Sequence, residues 1–191
     1  MNTRAVNAST LTRTWQLQDR SFAWQAAAAV IGVLALILAS RIDVPMVPVP
    51  MSMQTFAVLL IGALYGMRLG TLTVLAWLAL GALGLPVFAG GTGGMARLMG
   101  PTAGYLIAFP IAAACVGWLA SRGWNQDRLG WAFGAMLIGH VICLGLGALW
   151  LARIIGFEAA LAKGVTPFLL GAILKSVLVV VALKLMTPRK R

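Results

Sequence analysis

The lysine at position 175 is the residue of this sequence best suited to bind a ligand. Lys175 lies near the middle of residues 164–183, a stretch that is otherwise uncharged and strongly apolar. If this stretch crosses a bilayer, the Cα of Lys175 lies about 12 Å from the nearer end of the span, too far for a lysine side chain to reach water. A charge at that depth costs about 2.5–3.5 kcal/mol and usually faces a polar cavity. With no acid in its own stretch, Lys175 favours an anionic ligand group such as a carboxylate.

A second cation, Arg97, ends a glycine-rich segment that begins at Phe88. The segment reads Phe88-Ala-Gly-Gly-Thr-Gly-Gly-Met-Ala-Arg97, and glycines let backbone amides approach a ligand closely. No Gly-Lys-Ser or Gly-Lys-Thr follows, so the segment is not a phosphate-binding loop for ATP. Arg97 is therefore a candidate ligand contact, and the alternative is an exposed arginine in a flexible loop.

Four polar or aromatic side chains within apolar stretches need a role as well. Tyr105 follows Gly104, where close packing would direct its ring inward. Trp77 is typical of an anchor at the lipid–water interface. Gln54 can exchange hydrogen bonds with a polar ring, or it can cap a helix. His140, the only histidine, favours a hydrogen-bonded core residue over a proton relay.

Catalysis has little support in the residue types. None of the four acidic residues lies deep in an apolar stretch, and there are no paired carboxylates. The two cysteines, Cys115 and Cys143, belong to no cluster that resembles a metal site or a disulfide framework. The sequence therefore predicts a protein that is not an enzyme and that has no metal or other cofactor, and it favours the binding and passage of a small molecule.

The elements that position these residues must lie in a membrane. The chain is 61% hydrophobic and only 10% charged, whereas soluble domains are roughly a quarter charged. Its net charge of +11 would favour nucleic-acid binding in a soluble protein. Here the basic residues lie mostly at the ends of apolar stretches, which is typical of membrane topology, so no nucleic-acid partner is predicted.

Charged residues and prolines divide the chain into six predicted spans. The fold class is an all-α integral membrane protein of six transmembrane helices, with a cytoplasmic tail over 1–22, a six-helix substrate-binding domain over 23–187 and a basic tail over 188–191. The proline-rich stretch before the second span either dips into the membrane or folds over a cavity. The predicted spans are residues 21–40, 53–66, 69–86, 101–121, 129–152 and 164–183.

The distribution of lysine and arginine predicts the orientation. Of the 15 such residues, ten fall on the side of the N-terminus, four on the opposite side, and Lys175 within a span. Because cytoplasmic segments carry the excess of basic residues, both termini are expected in the cytoplasm.

A stripe of small residues follows one face of the first span. Its members are Ala28, Gly32, Ala35 and Ala39, spaced at helical intervals. Small residues allow membrane helices to approach closely. The stripe therefore packs inside the bundle or docks a separate membrane subunit.

Three strings between Val47 and Gly117 resemble one family. They are Pro48-Val-Pro50 followed by Gln54-Thr55, then Leu80-Gly-Ala-Leu-Gly-Leu-Pro-Val-Phe-Ala-Gly-Gly91, then Gly100-Pro-Thr-Ala-Gly-Tyr-Leu-Ile-Ala-Phe109. In combination they resemble the BioY family, the substrate-binding S component of energy-coupling-factor (ECF) biotin transporters. The spacing of six spans is similar too, so the likeness extends over nearly the whole chain from about residue 23.

The resemblance implies a fold, a ligand and partners. It implies an S-component-like bundle in the bacterial inner (plasma) membrane, with a biotin site near the outer side beneath a lid that includes residues 87–100. The partners implied are a membrane T component, which would dock on the small-residue face of the first helix, and two cytosolic ATPases. Biotin's apolar body would lie against Phe88, Trp77 and Tyr105, and Lys175 or Arg97 would meet its carboxylate. The alternative ligand is another small carboxylate vitamin or precursor.

Two positions depart from the family pattern. The last helix of the family typically carries Pro-Phe and then an Asp three residues before a Lys. Pro167-Phe168 and Lys175 match, but Ala172 stands where the Asp would be. The acceptor for the ureido N–H groups would then come from Gln54, Thr102 or loop carbonyls. The family also often has Tyr at the position of Trp77.

Overall fold

Helices make up most of the chain in the computed structural model, which describes residues 21–186. The predicted tails therefore lie outside the described residues, apart from Ser21 and Phe22. Two short strands, β1 and β2, pair antiparallel between the first two helices, and a single 3₁₀ turn covers Ala89–Gly91. The elements are α1 Phe22–Arg41, β1 Asp43–Val44, β2 Met51–Ser52, α2 Gln54–Ala82, α3 Met95–Met99, α4 Ala103–Ser121, α5 Leu129–Ile155, α6 Phe157–Gly164 and α7 Thr166–Met186.

Helix α2 contains two of the six predicted spans, joined at Gly66. Within residues 21–186, five helical stretches are long and apolar enough to cross a membrane when Gln54–Ala82 is counted once. Gly66, however, has non-helical angles, φ 78° and ψ 178°. A Cβ built on Gly70 would lie 3.1 Å from the Cα of Gly62, although eight helical residues rise about 12 Å. The chain therefore reverses at Gly66, and residues 54–65 and 67–82 run as neighbours.

Close contacts between small residues hold α4 against both halves of α2. A Cβ on Gly62 would meet the backbone of Ala113, and one on Gly117 would meet the backbone of Gly66 and Met67. Such approaches bring α4 against both halves of α2, as small residues do in membrane helix packing. The glycine series 62, 66 and 70 thus serves the internal packing of the bundle.

The small-residue stripe on α1 faces the inside of the bundle, so its predicted docking role needs correction. Ala28, Gly32 and Ala39 are buried, and a Cβ on Gly32 would meet the side chains of Tyr65 and Thr73 in α2. These three residues are covered by the chain itself, Gly32 by α2, so the stripe packs inside the bundle. Ala35 alone of the four is exposed.

The outer surface of the bundle is apolar, as a membrane protein requires. Large aliphatic side chains project from the first and last helices, including Leu38 at 68% and Leu185 at 80% exposure. In a bilayer these groups contact lipid tails rather than water. The protein is therefore a membrane protein whose polar groups gather inside the bundle.

Candidate ligand-binding site

A cavity opens inside the bundle between α4, α5 and α7. The end of the β1–β2 segment and the loop after α2 cover it, and the space that the centre of a water molecule can reach is about 60 Å³. One such centre needs about 10–15 Å³, so the cavity has room for several waters. Val49 and Pro50 line it, which agrees with the prediction that the proline-rich stretch folds over a cavity.

Lys175 lies in the wall of this cavity, as its position in the sequence predicts. It is 9% exposed, and its Nζ donates a hydrogen bond of 2.6 Å to the backbone oxygen of Ser52. An ammonium has three N–H donors, so this bond leaves capacity for a ligand. The carbonyl reaches Lys175 because β2 ends just before α2 and turns its backbone toward α7.

The electrostatic character of the cavity is positive. Its lining includes two cations, Lys175 and Arg97, and no carboxylate. Among residues 21–186 the acids are Asp43 in β1, Asp127 before α5 and Glu158 in α6, and none lies within a predicted span. Two cations without a counter-charge favour an anionic ligand.

Arg97 belongs to a short helix rather than to the flexible loop that its glycine-rich context indicates. It lies in α3, is half-buried and lines the cavity. Its guanidinium forms no hydrogen bond or ion pair within the described part of the chain. The group is therefore free to meet a ligand at the covered side of the cavity.

Long-range hydrogen bonds order the loop that carries Phe88 and Arg97. The amide of Gly94 donates to the oxygen of Gly81 at 2.7 Å, and the amide of Phe88 donates to Thr92 at 2.9 Å. Arg41, at the end of α1, donates to the oxygen of Pro86 at 2.8 Å. This loop is thus fastened to the bundle at both ends.

Phe88 and Trp77 form two successive layers of the cavity wall. The Phe88 ring lines the cavity and packs edge-on against Trp77, with centroids 5.1 Å apart. Trp77 is fully buried, and its Nε1 donates to the oxygen of Val87 at 3.1 Å. Trp77 therefore supports Phe88 from behind. Its burial contradicts the interpretation of Trp77 as a lipid-interface anchor.

Tyr105 points inward, as predicted from Gly104. Its hydroxyl donates to the oxygen of Gly164 at 2.7 Å, and its ring stacks on Phe168 with centroids 6.3 Å apart. Gly147 lies against the ring so closely that a Cβ there would overlap it. Tyr105 and Phe168 both line the cavity, as Phe88 does, and form an aromatic part of its wall.

Gln54 is buried in a chain of hydrogen bonds that ties α1 to the start of α2. Its Nε2 donates to Ser40 Oγ and its Oε1 accepts from Ser52 Oγ, both at 2.9 Å. Ser40 in turn donates to Leu36 at 2.7 Å. Gln54 also lines the cavity, so the network fixes the amide there rather than leaving it as a simple helix cap.

Several cavity residues were missed from the sequence as binding candidates. Phe109, Cys143 and Phe168 line it, although Phe109 and Phe168 stand out in the sequence only as parts of family strings. His140 also lines it, although a lone histidine in a span favours a purely structural role. Ser176, the neighbour of Lys175, has its hydroxyl oxygen 3.2 Å from the Nδ1 of His140. Helical register, not local sequence, brings these groups together.

The fold and the cavity define a membrane-embedded protein with an internal cavity that two cations and no carboxylate line. The sequence profile of the BioY family matches residues 9–191. A "Probable biotin transporter BioY" of Pyrococcus horikoshii is 42% identical over 142 residues, which cover 74% of this chain and 83% of the relative. "Biotin transporter BioY2" of Lactococcus lactis subsp. cremoris is 37% identical over 158 residues, covering 81% and 82% of the two chains.

A solved structure has the same architecture. It is described as the "S-component for biotin from an ECF-type ABC transporter", and it superposes with a TM-score of 0.75 at 26% identity. The match covers 87% of this chain and 94% of that one. The chain belongs to the BioY family, which confirms the family predicted from its three sequence strings.

Proposed function

We propose that this protein captures biotin within the membrane as the substrate-binding subunit of an ECF-type vitamin importer. The observation that carries the proposal is a cavity with two cations, no carboxylate and aromatic walls, in a chain whose relatives are named as biotin transporters. Biotin has an apolar ring and chain, a cyclic urea at one end and a carboxylate at the other. Small-molecule sites combine apolar walls with a few polar contacts in this way.

Arg97 is the proposed partner of the carboxylate. Its guanidinium is half-buried and unengaged among residues 21–186, so pairing removes only part of its hydration. A guanidinium also matches the two oxygens of a carboxylate in a bidentate contact. The sequence left Lys175 and Arg97 as alternatives. The deeper burial of Lys175 supports Arg97, since fully buried ion pairs carry a large desolvation penalty.

Lys175 is then the proposed donor to the carbonyl oxygen of the cyclic urea. That oxygen is a neutral acceptor, and the two unused N–H groups of the ammonium suit it. Lys175 is next to Ser176, which contacts His140. These polar, uncharged neighbours support a polar, uncharged ligand group at the depth of Lys175. The carboxylate would accordingly extend toward the lid.

The apolar body of the ligand would lie between Phe88 and the Tyr105–Phe168 pair. These rings are held in place by Trp77 behind Phe88 and by the Tyr105–Gly164 hydrogen bond. Rings fixed in advance lose little entropy when the ligand binds. The ordered loop above them supports slow release of a bound ligand.

The partner subunits and the membrane are also part of the proposal. An importer of this class would place both termini in the cytoplasm of a bacterial inner membrane and associate with a T component and two ATPases. The exposed apolar face of α1, which includes Ala35 and Leu38, is available for that contact, unlike the buried residues Ala28, Gly32 and Ala39. The chain itself acts as a transporter subunit and not as an enzyme.

Competition binding tests the ligand. Labelled biotin bound to the purified chain should be displaced by unlabelled biotin and far less by thiamine or riboflavin. Biotin methyl ester, which lacks the charge, should compete more weakly than biotin, and an Arg97→Gln variant should remove that difference. If another carboxylate vitamin displaces the label at a lower concentration than biotin does, that vitamin and not biotin is the substrate.

A further inference from the structure

A buried nitrogen of His140 has no hydrogen-bond partner within residues 21–186. His140 is 5% exposed and lines the cavity, and its Nε2 is fully buried without a partner there. Most buried side-chain polar atoms in proteins are hydrogen-bonded. Because His140 lines the cavity, a ligand bound there is the candidate for the partner that Nε2 lacks.

The surroundings of the other ring nitrogen determine what kind of partner fits. Nδ1 lies 3.0 Å from the oxygen of Met136, and a carbonyl oxygen can only accept. The hydroxyl of Ser176 donates to the oxygen of Ala172 at 2.8 Å, so its own oxygen also faces Nδ1 as an acceptor. Both contacts require a proton on Nδ1. In the neutral imidazole, Nε2 is then an acceptor.

Other cavity groups near the ligand's cyclic urea are less able to accept a hydrogen bond. Ala172, one turn from Ser176, has no polar side chain. The oxygen of Gln54 already accepts from Ser52, and the hydroxyl of Thr102 donates to the oxygen of Arg97 at 3.3 Å. Nε2 is a buried acceptor on a cavity-lining residue, and it has no partner within residues 21–186.

We propose that His140 Nε2 accepts a hydrogen bond from a ureido N–H of the bound ligand and so selects a ligand with a donor at that position. This inference rests on the proposed function and adds a specificity-determining residue to it. With Lys175 donating to the urea oxygen, the two side chains would together match the donor and acceptor edges of the urea.

Nitrogen NMR of the single histidine tests the proposal without a substitution. Because the chain has one His, ¹⁵N-histidine labelling of protein carrying a non-histidine tag gives one imidazole with no assignment ambiguity. Without ligand, we expect Nδ1 protonated and Nε2 unprotonated. Saturating biotin should move the Nε2 signal to lower frequency, as acceptance of a hydrogen bond does. A protonated Nε2, or a signal that biotin does not move, would overturn the proposal.

Two variants test the same bond by affinity. His140→Phe keeps the ring and removes the acceptor, and should weaken biotin binding about 10- to 100-fold. His140→Gln places an amide oxygen near the position of Nε2 and should remain within about threefold of the unchanged chain. Val141→Ala, on the exposed face of α5, is the control. Equal affinity for His140→Phe, or equal loss in both His140 variants, would refute the acceptor role.

A wrong ligand and a wrong role for His140 would give different results. If the unchanged, folded chain does not bind biotin, the proposed function itself is wrong. If it binds biotin and the Nε2 signal and the His140→Phe affinity are both unaffected, the function stands and His140 is only a structural residue. Should His140→Phe not fold, the NMR measurement on the unchanged chain decides alone.

Discussion

Replacing Lys175 with methionine should weaken ligand binding without a matching loss of stability. Methionine is unbranched and similar in length, so it fills much of the same space while removing the charge and the donors. Lys175 is buried in the bundle with one protein hydrogen bond, to Ser52. The substitution removes a hydrogen-bond donor to the ligand. In the ligand-free protein it removes both a favourable hydrogen bond and an unfavourable buried charge, so the effects on stability oppose each other.

The size of each effect follows from these contacts. A hydrogen bond to a charged group contributes about 1.5–3 kcal/mol, so biotin should bind about 10- to 150-fold more weakly. The lost bond to Ser52 destabilises the ligand-free chain by a similar amount. Removing the ammonium from the membrane interior offsets this by about 2.5–3.5 kcal/mol. The ligand-free melting temperature should therefore rise by at most about 8 °C or fall by at most about 2 °C.

Titration calorimetry and thermal unfolding of the detergent-purified variant measure both quantities. Leu174→Met, the neighbouring lipid-facing position at 56% exposure, controls for a methionine at that level of α7 and should leave both unchanged. Unchanged affinity in Lys175→Met would refute the role of the ammonium in binding. A large fall in melting temperature would instead show that the Lys175–Ser52 bond is mainly structural.

Three further substitutions, one of them with a matched control, test other parts of the account. Arg97→Gln should weaken the binding of biotin about tenfold and leave that of biotin methyl ester unchanged. Equal effects on both ligands in competition assays would show that Arg97 does not bind the carboxylate. Gly147→Ala should lower biotin affinity and melting temperature because the added Cβ overlaps the Tyr105 ring. The control is Gly145→Ala, whose Cβ meets nothing within 4 Å. That variant should be neutral or stabilise the chain by up to about 1 kcal/mol. Gly66→Ala should destabilise the chain by about 1–3 kcal/mol because φ is 78° there; an unchanged unfolding midpoint would contradict the reversal at this residue.

Hydropathy and proline positions predict the spans well because each crossing needs about 20 apolar residues. The predicted spans 101–121 and 129–152 agree closely with α4 and α5. The sequence did not predict α6, which is only eight residues long and carries Glu158 and Lys163, since a short charged helix has the composition of a loop. The two-residue strands β1 and β2 depend on pairing across the proline-rich stretch and have no periodicity of their own.

The sequence predicts several residues of the candidate site, but not which of them line the cavity and which lie behind the wall. Lys175 stands out because a charge in a span is unusual, yet its partner is a backbone oxygen 123 residues away, which no side-chain pattern indicates. The burial of Trp77 behind Phe88 depends on how the loop after α2 folds back. The inward orientation of Gly32 depends on which face of α1 meets α2, and a stripe of small residues is compatible with either face.

Equilibrium binding of labelled biotin to the purified full chain tests the central claim most directly. The account predicts saturable binding at one site per chain, displaced by unlabelled biotin and not by thiamine or riboflavin, in protein that is shown to be folded by its melting transition. The absence of saturable biotin binding by the folded chain would contradict it.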